Sequence, residues 1–185
     1  GDTLVAELAP TAPAGQHVGR ANVIDGDTLV INRQRLRLFG IDAIEPHQFC
    51  YVDGKAWACG AVATRALENI ASLAPTVICT ETGGFAEPQV LWAECKVGGK
   101  DIAEDLVRTG YALAHRAQSQ KYVAAEEAAK SASLQVWKSA FVEPWIYRAD
   151  MRAIEDRITE RLLTLLRRDV ERALTEGRAG IEVFD

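Results

Sequence analysis

The stretch that most constrains the fold is residues 20–46, RANVIDGDTLVINRQRLRLFGIDAIEP. Asp25-Gly26 is a strong turn signal, and it separates a short apolar strand, Ala21–Ile24, from the segment that follows. Thr28–Asn32 then predicts a strand that runs outward, and Arg35–Ile41 predicts a strand that returns beside it. We therefore expect a sheet organised around this hairpin.

The returning strand brings charged residues together at one end of the hairpin. Because side chains alternate between the two faces of a strand, Arg35 and Arg37 share one face, and Leu36 and Leu38 share the other. Asp27 follows the first turn, and Asp42 and Glu45 lie just beyond the returning strand. Carboxylate oxygens suit Ca²⁺, and a guanidinium group suits a phosphodiester. The pattern predicts a site for a hard cation and a phosphate, although aspartate also stabilises turns by itself.

Two motifs in this stretch, IDGDT and RLRLFGIDAIE, resemble the signature motifs of the staphylococcal nuclease family. The resemblance extends from about Val18 to about Trp137, through GKDIAEDLVRTGYALAH and AEEAAKSASLQVW. It implies an α+β fold, with an OB-type five-stranded barrel covered by helices. It also implies Ca²⁺-dependent hydrolysis of phosphodiester bonds in DNA and RNA.

The resemblance also assigns roles to individual residues of the hairpin. Asp27 and Asp42 would be Ca²⁺ ligands, with the backbone carbonyl of Ala43 as a third ligand. Glu45 would be the general base, and Arg37 would be one of two arginines that grip the phosphate. The family has a threonine where this chain has Ala43. This difference is small, because residue 43 would contribute only its backbone carbonyl group.

The second arginine of the family is missing here. Its position falls near Val90, in a segment that joins two predicted strands, Thr76–Thr80 and Leu91–Val97. Neither arginine nor lysine occurs between Cys79 and Cys95. Since a cation that faces developing phosphate charge can contribute about 10³ to 10⁵ in rate, its loss predicts a slow or inactive nuclease.

Three residues elsewhere are candidates for binding the substrate. Arg35 shares a strand face with Arg37 and can approach the same ligand, and its alternative role is that of a solvated strand residue. His115 and Arg116 lie in the segment GYALAHRAQSQ, in which exported relatives carry tyrosines that pack against the nucleotide. Base stacking is expected to be weaker with His115 and Gln118 at those positions.

The four cysteines favour disulfide bonds over a zinc site, because no two of them form a Cys-x-x-Cys pair. Cys50 and Cys59 flank a polar loop, and Cys79 and Cys95 lie near the ends of segments that the resemblance pairs as adjacent strands. The prediction is therefore 50–59 and 79–95. Disulfides persist in oxidising compartments, so we expect a periplasmic or secreted protein. Four buried free thiols in a cytosolic chain are the alternative.

Composition limits the classes of function. The chain has 185 residues, 48% of them hydrophobic, which suits one domain with an appendage. A net charge of −5 argues against a general binder of polyanions, although a local basic cleft is compatible with it. No apolar run is long enough to span a membrane. We expect a poorly ordered lead-in over residues 1–17, a nuclease-like domain over 18–148, and a helical extension over 149–185.

The extension carries a helical stripe that the family resemblance does not reach. Its apolar residues recur every three or four positions, at 151, 154, 158, 162, 165, 166, 170 and 174. A stripe of this length needs a partner surface. We expect a homodimer through residues 151–176, and docking on the parent domain is the alternative.

Two classes of function remain open. The retained carboxylates favour an exported Ca²⁺-dependent endonuclease that acts weakly on nucleic acid. The missing arginine, the acidic balance and the altered stacking positions favour a binding or scaffold protein with a degenerate active site. Some exported relatives also have a role in exopolysaccharide (succinoglycan) biosynthesis, which fits the second class.

Overall fold

The computed structural model describes residues 15–181, and the side chains of residues 15–176. The fold is α+β, as predicted, and the predicted lead-in lies outside the described residues up to residue 14. Within the described part the strands are β1 (Gln16–Gly19), β2 (Asn22–Val23), β3 (Thr28–Ile31), β4 (Gln34–Leu38), β5 (Ile41–Ala43), β6 (Cys50–Val52), β7 (Lys55–Trp57), β8 (Val77–Glu87), β9 (Val90–Val97), β10 (Lys100–Asp101) and β11 (Ala112–Ala114). The helices are α1 (Cys59–Ala71), α2 (Ile102–Arg108), α3 (Val123–Ser131), a 3₁₀ helix (Gln135–Lys138) and α4 (Pro144–Ile181).

The chain divides into two compact units, one ending at Pro144 and the other starting at Trp145. The main sheet of the first unit has the strand order β1-β8-β9-β4-β3-β2, with β10 paired to β9. β4 and β9 are parallel, and the other neighbours are antiparallel. Two short sheets, β11-β5 and β6-β7, accompany it.

The predicted hairpin is present as β3 and β4. Asn32 and Arg33 have φ angles of 50° and 70°, so the two residues form a tight turn of the kind that joins antiparallel strands. The inward side of the hairpin is apolar and buried, and the outward side carries the arginines. It packs with helices α1 and α2 in the core, to which it contributes Leu29, Ile31, Leu36 and Leu38.

The strand predicted over Arg35–Ile41 ends at Leu38, and Ile41 begins the separate strand β5. Two other strands also differ from the prediction. Residues 16 and 17 were assigned to the lead-in, but they already belong to β1, which pairs with β8. The strand predicted to end at Thr80 continues as β8 to Glu87, past Gly83 and Gly84, because two register shifts keep it paired with β9. The extended strand brings Glu87 to the face of the hairpin that carries the arginines.

Both predicted disulfides are confirmed. Cys50 is bonded to Cys59, and Cys79 to Cys95. The second bond joins partners that face each other in the β8-β9 ladder. Disulfides are typical of oxidising compartments, so they indicate a protein that functions outside the cytoplasm.

Helix α4 forms the second unit together with the residues that follow it. Its predicted stripe is exposed, with side chains that keep between 39% and 62% of their surface in contact with solvent: Met151, Ile154, Ile158, Leu162, Leu165, Leu166, Val170 and Leu174. Among the helices of residues 15–181, none is apolar over a stretch sufficient for crossing a membrane.

Candidate active site

A small cleft forms where the end of the β3-β4 hairpin meets the segment after β5. Its volume is about 10 Å³, close to the space of one water molecule. The hairpin positions the charged groups, because Thr28 at the start of β3 is the direct partner of Arg37 on β4. The lining residues are Asp25, Gly26, Asp27, Arg37, Ala43, Ile44, Glu45 and Pro46.

Asp27 is held at the base of the cleft and is 6% exposed. Its Oδ1 accepts a hydrogen bond from Thr28 Oγ1 at 3.0 Å, and its Oδ2 accepts one from the Ala43 N–H at 3.0 Å. Burial in the first place, and the carboxylate of Asp25 in the second, raise the pKa of Asp27 to about 7 against the opposing effect of Arg37. Asp27 is therefore a carboxylate that lacks enough positive charge around it.

Arg37 faces two carboxylates. Its Nε donates to Thr28 Oγ1 at 3.1 Å and lies 3.4 Å from Asp27 Oδ1, and its Nη1 donates to Glu87 Oε1 at 2.8 Å. Burial by itself would lower the pKa of Arg37, but Asp27 and Glu87 outweigh it and raise that pKa above its usual range. The guanidinium group is thus held in place and protonated, and carboxylates of the protein already balance its positive charge.

Glu45 lies in a turn that is fastened to the start of α1. Gln48 N donates to Glu45 O at 2.8 Å, and Gly60 N donates to Gln48 O at 3.2 Å. The Gln48 side chain also donates to Val142 O, and the Cys50–Cys59 disulfide joins the segment after the turn to the first residue of the helix. Because the turn is held at several points, the backbone that presents Glu45 has a fixed position in the cleft.

Gly60 is the closest point between α1 and this turn. A Cβ atom at residue 60 would lie 1.7 Å from Glu45 O, a distance that no real contact allows. We expect Gly60→Ala to destabilise the protein by about 3 kcal/mol, because the backbone of the turn or of the helix must move. Chemical denaturation measures this loss. Ala61→Ser adds one heavy atom at the next helix position and is the control, and equal stability of both variants would contradict the prediction.

The donor groups of the cleft are of the type that Ca²⁺ prefers. Among the residues that the structure describes, no group of three His, Cys, Asp or Glu side chains is arranged to hold a metal ion. Asp27 and Asp42 are nonetheless two buried carboxylates, Asp42 precedes Ala43 on β5, and its charge adds to the raised pKa of Asp27. Hard oxygen donors in need of positive charge fit part of a Ca²⁺ shell, and the remaining ligands would be water or phosphate oxygens.

Of the predicted metal and catalytic residues, all line the cleft except Asp42, whose charge nevertheless acts on Asp27. The predicted substrate-binding residues lie outside the lining. Arg35 is an exposed residue of β4, opposite Val30 on one neighbour and Val90 on the other, and it does not belong to the lining of the cleft. His115 is half-buried, and its backbone N–H donates to Gly40 O at 2.9 Å.

Arg116 is engaged by helix α3. Its Nη1 lies 2.6 Å from Glu126 Oε2, and its Nη2 lies 2.9 Å from Glu127 Oε1. Glu126 is 1% exposed, so removing Arg116 would deprive a buried carboxylate of a counter-charge. This contact explains Arg116 as a structural residue, without reference to a ligand.

Glu87 is a residue of the site that the sequence did not predict. It is the last residue of β8, and its carboxylate contacts the phosphate-binding candidate Arg37. The available signal was weak, namely an acidic residue three positions before Val90, where the family arginine is missing.

Comparison with known proteins adds to this geometry. Residues 35–139 match the model of a protein family described as staphylococcal nuclease homologue. A similar protein is the succinoglycan biosynthesis protein ExoI of Rhizobium meliloti (strain 1021), which is 29% identical over 141 residues, spanning 74% of this chain and 74% of ExoI. The family match includes Arg37, Asp42, Ala43 and Glu45, whereas Asp27 precedes it.

Proposed function

This chain belongs to the staphylococcal nuclease family, since the family match covers more than half of it, and from that premise we propose that it hydrolyses phosphodiester bonds of nucleic acid slowly, with Ca²⁺. One observation carries the proposal: Asp27, Arg37 and Glu45 line the same cleft. A buried acid, a guanidinium and a second carboxylate can hold a cation, bind a phosphate and take a proton from water, which together suit hydrolysis of a phosphodiester.

In this proposal each residue has a defined task. Arg37 binds a non-bridging phosphate oxygen, and Glu45 takes a proton from the water that attacks phosphorus as the bond to the leaving oxygen breaks. Asp27, Asp42 and the Ala43 carbonyl would hold the ion, which when bound supplies a Lewis acid that polarises a phosphate oxygen.

The reaction is expected to be slow for two reasons. The sequence supplies neither lysine nor arginine between Cys79 and Cys95, where the second cation would be. Arg37 also contacts Glu87 at 2.8 Å, so a phosphate must compete with a carboxylate of the protein. Both features leave negative charge in the transition state with less stabilisation.

The experiment is cleavage of denatured DNA in millimolar Ca²⁺, compared with an EDTA control. We expect cleavage that depends on Ca²⁺, and a rise of the thermal midpoint with Ca²⁺, because an ion that binds only the folded state stabilises it. If Ca²⁺ changes neither cleavage nor the midpoint, the proposal is wrong.

A second candidate function is binding without hydrolysis. The neutralised Arg37 favours it, because a guanidinium that is paired with Asp27 and Glu87 stabilises a transition state poorly. ExoI is named for succinoglycan biosynthesis, and the chain would then have a comparable role in exopolysaccharide production. Absence of cleavage, together with binding of an anionic polymer, distinguishes this function from the first.

Location and substrate follow from the same proposal. Two disulfides favour the periplasm or the exterior of the cell. The proposed substrate is DNA or RNA, the nucleic acids that the family resemblance implies.

We also propose that helix α4 pairs with α4 of a second copy. Residues 151–176 contain six arginines and six acidic residues, and this balance gives the helix little attraction to an anionic membrane surface. The side chains in the middle of the stripe, Leu162, Leu165 and Leu166, are 49% to 60% exposed, so pairing would cover apolar surface that faces solvent in the single chain.

The spacing of the stripe indicates how the two helices would pack. From Ile154 to Leu174 an apolar residue recurs every four positions, so these side chains form one continuous ridge along the helix. Ridges of this kind interdigitate when helices cross at about 50°, whereas a long left-handed coiled coil needs a repeat of about 3.5 residues. The contact is expected to centre on Leu162 and Leu166.

A further inference from the structure

Glu87 occupies the exposed side of the phosphate-binding candidate. The Arg37 side chain is 20% exposed, and the carboxylate that contacts its Nη1 belongs to a side chain that is 53% exposed. An ion pair of this exposure is weak, because solvent screens the charge of the glutamate. The carboxylate can therefore be displaced, but it is always present in the neighbourhood of the ligand.

The backbone that carries Glu87 is fixed. Glu87 faces Val90 in the β8-β9 ladder, and Val90 is 2% exposed and lies beside Arg35 of β4. The turn between them is tied to the start of β4, because Gln34 Nε2 donates to Gln89 O at 3.2 Å. Displacement therefore means rotation of one side chain, without opening of the hairpin, and the negative charge stays near the site.

We propose that Glu87 determines specificity by competing with the ligand for Arg37, so that the site accepts singly charged internal phosphodiesters and disfavours doubly charged terminal phosphates. The inference rests on the proposed function and names its substrate class. A nearby carboxylate repels a dianion about twice as strongly as a monoanion, because the interaction scales with the product of the charges. Glu87 therefore penalises the terminal phosphate more than the internal phosphodiester.

The other carboxylates of the cleft act in the same direction. Asp25, Asp27 and Glu45 line it, and Arg37 is the basic residue of that lining. These groups would also face the bound cation, which offsets their charge. Glu87 differs from them because it lies outside that lining, has a more exposed side chain than Arg37, and contacts the guanidinium directly at 2.8 Å.

The test measures equilibrium binding of two thymidine ligands by NMR titration with Ca²⁺ present. Thymidine 5′-monophosphate is doubly charged at about pH 8, because its second pKa lies near ~6, and the dinucleotide thymidylyl-thymidine carries one charge. Glu45→Gln serves as the background so that the dinucleotide stays intact. Glu87→Gln is expected to tighten the monophosphate about 5-fold and the dinucleotide about 2-fold.

Two variants make the outcome decisive. Glu81→Gln removes the same charge on the same strand, from a carboxylate paired with His17, and it is expected to change neither affinity. If Glu87→Gln tightens both ligands equally, or tightens neither, and Arg37→Ala weakens the binding of both, then Arg37 binds the phosphate but Glu87 does not determine specificity. If Arg37→Ala leaves both affinities unchanged, the phosphate site itself is wrong, and so is the inference.

Discussion

Replacing Glu45 with Gln is expected to lower Ca²⁺-dependent cleavage of denatured DNA by about 10²–10⁴-fold, the usual contribution of a positioned general base. The amide keeps the size of the side chain and the hydrogen bonds of the Glu45 backbone with Gln48, so the turn retains its position. The amide has no basic oxygen for the proton of the attacking water. Initial rates of strand cleavage, measured at saturating Ca²⁺, give the size of the loss.

Arg37→Ala is the companion to this variant, and we expect it to lose about 10²–10³-fold in the same assay. Arg65→Ala and Glu68→Gln make the same chemical changes on exposed positions of α1, and they are expected to cleave like the original chain. Cleavage that is indifferent to both Glu45→Gln and Arg37→Ala would show that the cleft is not the active site. The binding function would then be the better account of the chain.

Replacing Leu162 with Asp is expected to raise the dissociation constant of the dimer by at least about 100-fold. Leu162 lies near the middle of the ridge of apolar residues spaced four positions apart, and its side chain is more than half exposed in the single chain. Pairing would bury the new carboxylate among apolar side chains, where it has no counter-charge. Sedimentation equilibrium over a range of protein concentrations measures the change.

Thr164→Asp is the matched control for this experiment. It introduces the same charge two residues later, which is about 200° around the helix from Leu162 and therefore away from the ridge. We expect the Thr164 variant to dimerise like the original chain. A chain that is monomeric at every concentration, or a Leu162 variant that still dimerises, would contradict the pairing and favour another partner for the helix.

The hairpin could be predicted because its information is local. Alternation along the returning strand decides which side chains face the core, and a turn signal places Asp27 directly before the next strand. The structure agrees with this, since Leu36 and Leu38 are completely buried and Arg37 faces outward. Asp27 and Arg37 meet because Thr28, next to Asp27, pairs with Arg37 across the hairpin, whereas Glu45 enters from the segment after β5.

The rest of the site depends on pairings between distant segments. Gly83 and Gly84 indicate a loop, but pairing with β9 extends β8 through them and delivers Glu87 to Arg37, 50 residues earlier in the chain. Arg116 was predicted to bind substrate, but in the structure it pairs with the buried Glu126, and the sequence does not show this contact. A strand extension through bulges and a buried acid are tertiary facts, and local patterns do not contain them.

The Cys50–Cys59 bond has a consequence for when the cleft can operate. It clamps the segment after Glu45 to the helix that supports the turn, so a chain whose thiols are reduced holds its proposed base less firmly. Cytoplasmic thiols are kept reduced, and a newly made chain would pass through that compartment with the clamp open. Under the proposed function, formation of this bond would then complete the site, so hydrolysis would begin only where the two cysteines can be oxidised.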